Sequence, residues 1–511
     1  MSFTWTEEDV LCTDRFLQAF PDNYVKTDAF YLSYPFQWRG KTVSRPPESQ
    51  NVIVAGHSDY PLTEEIVHGY PDSRFFAVNS QSSRVIGLPL GITNNTNESE
   101  LHRIYGNIPM MLEVVKNPRQ IKNLAYLNIS VGTYPSERVP IKEAFGTLSW
   151  VTQGEPANTM EGRKKFLEEI RNHAFVFCPR GNGIDTHRMW ETLYMGSIPI
   201  VKRDIAHAGW MDLPILFVND WSEVTEEFLL VEQKRIESTT WNMEKLRVGY
   251  WINLIKKAMM KIGTIVTATD LNPLYSDFIP NFVKAWKAVI PEADIRIVLI
   301  ADSIPESLLP WESNIVLFKP IEGIHTAFQA QCIRLLYPRE VARDEGVLIT
   351  DMDMLPANRR YYVDSVKSLS SDAFIVYRDV CFPGEIAMCY NVARPSVWSG
   401  VFGNEPVDVI LRRWYQGTGY DGNHGGVGWG TDQVIFKKMF DTWSGTKIVL
   451  NDKITGFTRL DRSEPRNFTN RTQLRNTLHI GYFCDYHCLR PYSANKDIND
   501  FIVSCLQERT W

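Results

Sequence analysis

The sequence predicts an α/β protein of two domains. Three observations lead there: the chain is 511 residues long, apolar β-branched runs alternate with helix-like runs throughout, and the alternation restarts near Lys261. A chain of this length exceeds what one hydrophobic core serves. Strand-helix alternation implies parallel sheets covered by helices on both faces.

In the first half, "NVIVAGHSDY" reads as a strand running into a loop, and "PLTEEIVHGY" as the helix that follows. "RFFAVN" and "RVIGLPLGI" are further short apolar strands. Next, "HAFVFCPRGNG" runs into "DTHRMWETLYMG", and "SIPIVKRD" closes the unit. "MEKLRVGYWINLIKKAMMK" has the spacing of an amphipathic helix and ends the half; "IGTIVTATD" then has the character of a first core strand. The expected domains are residues 1–255 and 256–511. In the second, "IRIVLIAD", a helix through "HTAFQAQCIRLLYPREVARDE", "GVLITDMDM" and "AFIVYRD" continue the pattern. Both halves should bind ligands beyond the carboxyl ends of their strands, where open α/β sheets place their clefts.

Composition narrows the function. Hydrophobic residues are 44% and charged residues 22% of the chain, as in ordinary globular proteins. A net charge of -6 without a polybasic run argues against a nucleic-acid partner. The first residues lack the basic and apolar regions of a signal peptide, and no apolar run approaches the ~20 residues that span a bilayer. The expectation is a cytoplasmic protein with no membrane span. Of the eight cysteines, Cys484 and Cys488 flank His487, but no further ligands stand at zinc spacing.

The chemistry concentrates in two stretches. In "GVLITDMDMLP", Asp351 and Asp353 stand one residue apart after an apolar run, so strand alternation points both the same way. Two like charges there repel unless a cation sits between them. With Arg334 on the preceding helix, the segment resembles the nucleotide-sugar site of GT-A glycosyltransferases, in a layout like that of the glycogenin group. The resemblance implies Mn²⁺ or Mg²⁺ held by Asp351 and Asp353 and bridging the phosphates of the donor, whose diphosphate leaves as an anion. It implies that Thr267, Ala268 and Thr269 lie near base and ribose, with Arg334 and Asp351 also in the nucleotide-sugar site. In "GGVGWGTDQVIF" it places Asp432 at the acceptor hydroxyl. "LHIGYFCDYHCLRPY" resembles the segment supplying a histidine to the metal and a cation to the diphosphate. His479 is the first choice, His487 the second, and Arg490 the cation.

The other stretch is "FVFCPRGNGIDTHRMWETLYMGSIPIV". Gly181 and Gly183 permit a tight strand-to-helix turn and close backbone approach to phosphate. The stretch resembles the exostosin family, a resemblance that "AYLNISVGTYPSERVPI" and "RVIGLPLGI" extend over most of residues 50–220. It implies a compact GT-B-like pair of Rossmann-like lobes. Arg180, Arg138 and Arg188 would meet the diphosphate, Glu191 the ribose, and His57 or Asp59 would act as base. Exostosin relatives of animals and plants are usually membrane-anchored; a compact form without an anchor resembles enzymes of large algal viruses, which would place it in the host cytoplasm.

The whole reads as a bifunctional glycosyltransferase using nucleotide-sugar donors and a glycan or glycoprotein acceptor. Two alternatives stay open: one active GT-A transferase beside a glycan-binding or scaffolding module, and a hydrolase or nucleotidyltransferase built on the paired aspartates.

Overall fold

The run "NVIVAG" forms the strand Val52–Gly56, buried along its whole length. In the computed structural model, which describes residues 3–48, 51–96, 98–381, 383–451, 457–468 and 470–509, it belongs to a four-stranded sheet. The order is Tyr24–Lys26, Val52–Gly56, Arg74–Ala77, Val85–Gly87, and every pair is parallel. A second sheet orders Val151–Gln153, Asn123–Leu127, His173–Phe177, Ile198–Lys202 and Leu216–Val218, again all parallel. Strands such as His173–Phe177 are buried on both faces because helices cover both, which explains why they read as continuous apolar runs. The core of this sheet packs Phe175, Phe177, Ile198 and Ile200 against Leu229 and Ile236. Both sheets lie in the compact unit Met1–Lys257; a second unit comprises Ala258–Trp511.

The second unit is built on Ile262–Asp270, nine residues long and buried up to its last. Its seven-stranded sheet runs Ile315–Phe318, Asp294–Ile300, Ile262–Asp270, Gly346–Ile349, Asn391–Ala393, Phe374–Val376, Lys447–Val449. The first four are parallel. Asn391–Ala393 is antiparallel to both neighbours, so the sheet is mixed, a feature that strand-helix alternation did not reveal. The core on one face gathers Phe282, Trp286, Ile295, Leu348, Tyr362 and Tyr390.

A three-stranded sheet stands beside it, in the order Met354–Pro356, Phe483–His487, Thr458–Leu460. Asp351 and Asp353 occupy the turn by which the chain leaves Gly346–Ile349 and enters Met354–Pro356. The expected strand alternation therefore does not set their directions. Met352, between them, is buried in the core and anchors the turn. Pairing of Met354 with His487 brings residues 133 positions apart to this corner.

Candidate active sites

In the second unit the carboxyl ends of Ile262–Asp270 and Gly346–Ile349 open on a cavity of about 320 Å³. Ala268, Thr269, Arg334, Asp351, Asp353, Asp432, His487 and Arg490 all line it. Arg334 projects from the helix Thr326–Leu336 and is buried. Its guanidinium donates to the Asp351 carboxylate and, at 3.1 Å, to Asp432 Oδ2. Burial alone would lower the pKa of this arginine, but the two carboxylates outweigh it and keep the group charged.

Asp432 lies in the first turn of the helix Thr431–Thr442, whose N-cap is Gly430. Burial pushes its carboxyl up to about 6, against the pull of Arg334 and with the help of Asp351. A carboxyl poised there exchanges protons near neutral pH, as acid-base work requires. Its Oδ1 also accepts the Gln433 N–H at 2.9 Å.

Asp353 is 3% exposed and faces two guanidiniums and an imidazole: Arg462 Nη2 at 2.5 Å, Arg490 Nε at 3.4 Å and His487 Nε2 at 3.6 Å. Burial would raise its carboxyl, yet His487, Arg490 and Arg462 together hold it well below the usual carboxylate range. Arg490 also donates to the Tyr275 hydroxyl at 2.7 Å.

Two of the expected residues, His479 and Thr267, lie away from the cavity. His479 ends the helix Arg471–His479, where its ring meets the Cys505 carbonyl at 3.1 Å, and it does not line the cavity; His487, on the strand beside Asp353, does. Thr267 turns into the core just before the cavity-lining Ala268 and Thr269, and its hydroxyl finds no partner among the described residues. Asp351 and Asp353 are neutralised by Arg334 and Arg462 as they stand, and among the described residues no three His, Cys, Asp or Glu side chains are gathered into a metal cage. The donors nevertheless suit Mn²⁺ or Mg²⁺ in kind, since Asp351, Asp353 and His487 share one cavity and carboxylate oxygen is the preferred ligand of both ions.

The first unit has a wider cavity of about 760 Å³, lined by His57, Asp59, Arg138, Gly181, Gly183 and Arg188. Thr186, His187 and Arg188 bring the amino end of the helix His187–Tyr194 to it. Arg188 Nε has no hydrogen-bond partner among the described residues, so this guanidinium has capacity for an anion. Arg138 donates from Nε to the Arg180 carbonyl at 2.8 Å and from Nη1 to the Ser130 carbonyl at 3.0 Å; it is a strut for the loop. Burial and the neighbouring Arg188 lower its pKa to about 10.

Other expected ligands are committed elsewhere. Glu191 is buried in an ion pair with Arg163 at 2.8 Å and does not reach the cavity. Arg180 stacks on the Tyr134 ring at 4.4 Å and donates to the Asn182 carbonyl. His57 has both ring nitrogens engaged, Nε2 with Asp14 at 2.7 Å and Nδ1 with the Tyr24 hydroxyl. Burial lowers its pKa against the pull of Asp14. Asp59, by contrast, is exposed on the cavity rim and accepts from Asn182 Nδ2 at 3.4 Å. Gly183 is required for a close approach: a Cβ there would stand 2.7 Å from Asn79 Nδ2.

Sequence reasoning missed Arg462, Asp270, Asp14 and Asp185. Arg462 and Asp14 belong to no motif. Asp270 ends the first strand of the second unit, lines its cavity and accepts from the Thr326 hydroxyl at 2.8 Å; an acid after a β-branched run was the available signal. Asp185 lies within the glycine-rich stretch, where it accepts from the Leu90 N–H at 2.8 Å and the Trp190 indole, and burial raises its carboxyl to about 7.

Residues 142–269 match the family described as the RXYLT1 C-terminal domain. The chain is also similar to human ribitol-5-phosphate xylosyltransferase 1, 23% identical over 154 residues, which cover 25% of this chain and 33% of the human protein. The similarity thus spans about a third of that relative's length. The match takes in Arg180, Gly181, Gly183, Arg188 and Glu191, but not His57, Asp59 or the paired aspartates. Among solved structures, the galactosyltransferase LgtC with donor and acceptor sugar analogues aligns at 14% identity and a TM-score of 0.27, covering 48% of this chain and 96% of that one. The glycosyltransferase GlyE of Streptococcus pneumoniae aligns at 14% identity and 0.29, covering 48% and 62%. Scores this low carry no weight for fold or function.

Proposed function

We propose that this protein is a bifunctional glycosyltransferase, with one nucleotide-sugar site in each unit. The observation that carries the reading is the second unit's cavity. There Asp351, Asp353, Asp432, His487 and Arg490 converge from separate chain segments at the carboxyl ends of parallel strands. Transfer breaks the bond between the anomeric carbon and a phosphate oxygen and forms one to an acceptor oxygen, so the site must stabilise a leaving diphosphate and meet an acceptor hydroxyl. Arg490 offers the first a guanidinium; Asp432 offers the second a carboxylate able to take its proton. Asp351, Asp353 and His487 would hold Mn²⁺ or Mg²⁺, which when bound supplies positive charge to the diphosphate.

In the first unit the fixed positive groups are Arg188 and the amino end of His187–Tyr194, and Asp59 is the base on the facing loop. This is the exostosin-like, GT-B part of the reading. Its support is the cavity together with the similarity of residues 142–269 to a xylosyltransferase family, which makes a xylosyl or other pentosyl donor the first to try.

The test uses the full chain and a panel of UDP- and GDP-sugars, with released nucleotide as the signal. Asp353→Asn should lower the turnover of one donor by at least about 100-fold and spare another, with Arg188→Gln doing the reverse. Chelation of divalent ions should stop only the donor that depends on Asp353. A single donor, lost in Asp353→Asn and untouched in Arg188→Gln, would mean one transferase beside a binding module. No turnover of any donor would sink the proposal.

A further inference from the structure

Asp353 has more positive charge around it than one carboxylate needs. Two guanidiniums and an imidazole all approach the same oxygen, Oδ2. The two arginines are held differently. Arg490 is fixed at both ends of its guanidinium, by Asp353 and by the Tyr275 hydroxyl, and its plane lies over the Tyr275 ring at 5.1 Å. Arg462 is tethered through Nε to the Cys488 carbonyl at 3.0 Å and through Nη2 to Asp353, while its Nη1 has no partner among the described residues. Its side chain is one-third exposed (33%), lines the cavity, and stands on a turn just after the strand Thr458–Leu460. Arg334, the other cation on the paired aspartates, is not comparable, since it is buried and Asp432 holds it as well as Asp351 does.

We infer that Arg462 and a divalent cation compete for Asp353, and that the displaced Arg462 guanidinium becomes a second ligand of the nucleotide diphosphate. This rests on the nucleotide-sugar reading of the cavity. A doubly charged ion on the Asp353 carboxylate repels the guanidinium held 2.5 Å from its Oδ2 and draws off the electron density that bond uses, so each weakens the other's hold on this side chain. Arg462 has one tether independent of Asp353, so it can turn about that point without leaving the cavity. A diphosphate offers it a planar pair of oxygens, the geometry that guanidinium matches best.

The competition makes two affinities move in opposite directions. The full chain is used in an Arg188→Gln background, which silences the site proposed for the first unit. Mn²⁺ binding without nucleotide is followed by the electron paramagnetic resonance of the free ion. UDP and GDP are then titrated calorimetrically at saturating Mn²⁺, and the tighter is carried forward. Arg462→Gln should tighten Mn²⁺ roughly fivefold, because a competitor is gone, and weaken the nucleotide about tenfold, because a ligand is gone. Arg462→Lys should fall between wild type and Arg462→Gln on both. Loss of both affinities in Arg462→Gln, or no change in either, overturns the inference while leaving the site reading intact. If the parent binds Mn²⁺ with neither nucleotide, or no Mn²⁺ at all, the reading beneath it fails and the inference with it.

Discussion

Arg334 holds two carboxylates at once, and each would repel the other without it. Replacing it with glutamine leaves Asp351 and the buried Asp432 without their shared cation, so Arg334→Gln should cost about 3 kcal/mol of stability, read by urea denaturation. Asp432 carries a sign of its own. Its folded pKa, about 6, lies above the unfolded value, so the folded state binds the extra proton. Stability from this group is therefore full below about pH 4 and is lost as pH rises towards 6; Asp432→Asn should flatten that slope. On the proposed function catalysis runs the other way, since Asp432 would have to be ionised to take the acceptor's proton. Transfer by the second unit should rise with pH through about 6, and Asp432→Asn should lower it by roughly 100-fold or more while donor binding changes little. The residue types at this site were legible in the sequence, but their partners were not. Asp351 and Asp353 announce themselves by spacing, whereas Arg462 is 109 positions from Asp353 and belongs to no recognisable pattern.

At the scale of elements, the glycine-rich loop between His173–Phe177 and His187–Tyr194 shows how one motif mixes constraints. Gly181 and Gly183 look alike in sequence, yet their surroundings differ. A Cβ at Gly181 would meet Arg138 Nη2 at 3.4 Å, close to ordinary contact; one at Gly183 would drive into Asn79, whose side chain accepts the Asp185 N–H and donates to the Ser58 carbonyl. Gly183→Ala should destabilise the protein by about 1–3 kcal/mol and Gly181→Ala by well under 1, measured by denaturant titration. The same helix shows where local reading fails. Arg188 and Glu191 stand about one turn apart, but only Arg188 reaches the cavity. Glu191 is taken by Arg163 from the helix Met160–Arg171, a neighbour that periodicity does not name.

At the scale of the molecule, the chain forms two units that meet in sequence between Lys257 and Ala258, each with its own sheets and its own cavity. Fragments 1–257 and 258–511 should each unfold cooperatively in calorimetry, and each should keep the donor turnover assigned to it. The cavities differ in charge logic. Four aspartates and three arginines line that of the second unit, a formal charge of -1 with histidines neutral, so a diphosphate should bind there only after a divalent cation. Nucleotide affinity of this unit should fall at least about tenfold on chelation.

The sequence alone determined the α/β alternation, the restart near Lys261 and the residue types of both sites, because these follow from periodicity and side-chain chemistry along a short stretch. Only the tertiary structure decided that Asn391–Ala393 runs antiparallel within the sheet, that His487 rather than His479 faces Asp353, and that Arg462 shares its carboxylate. Those outcomes depend on strand order. The pairing of Met354–Pro356 with Phe483–His487, and of that strand with Thr458–Leu460, brings distant segments to one corner. Spacing along a chain sets which way neighbours point, and only sheet register sets what they meet.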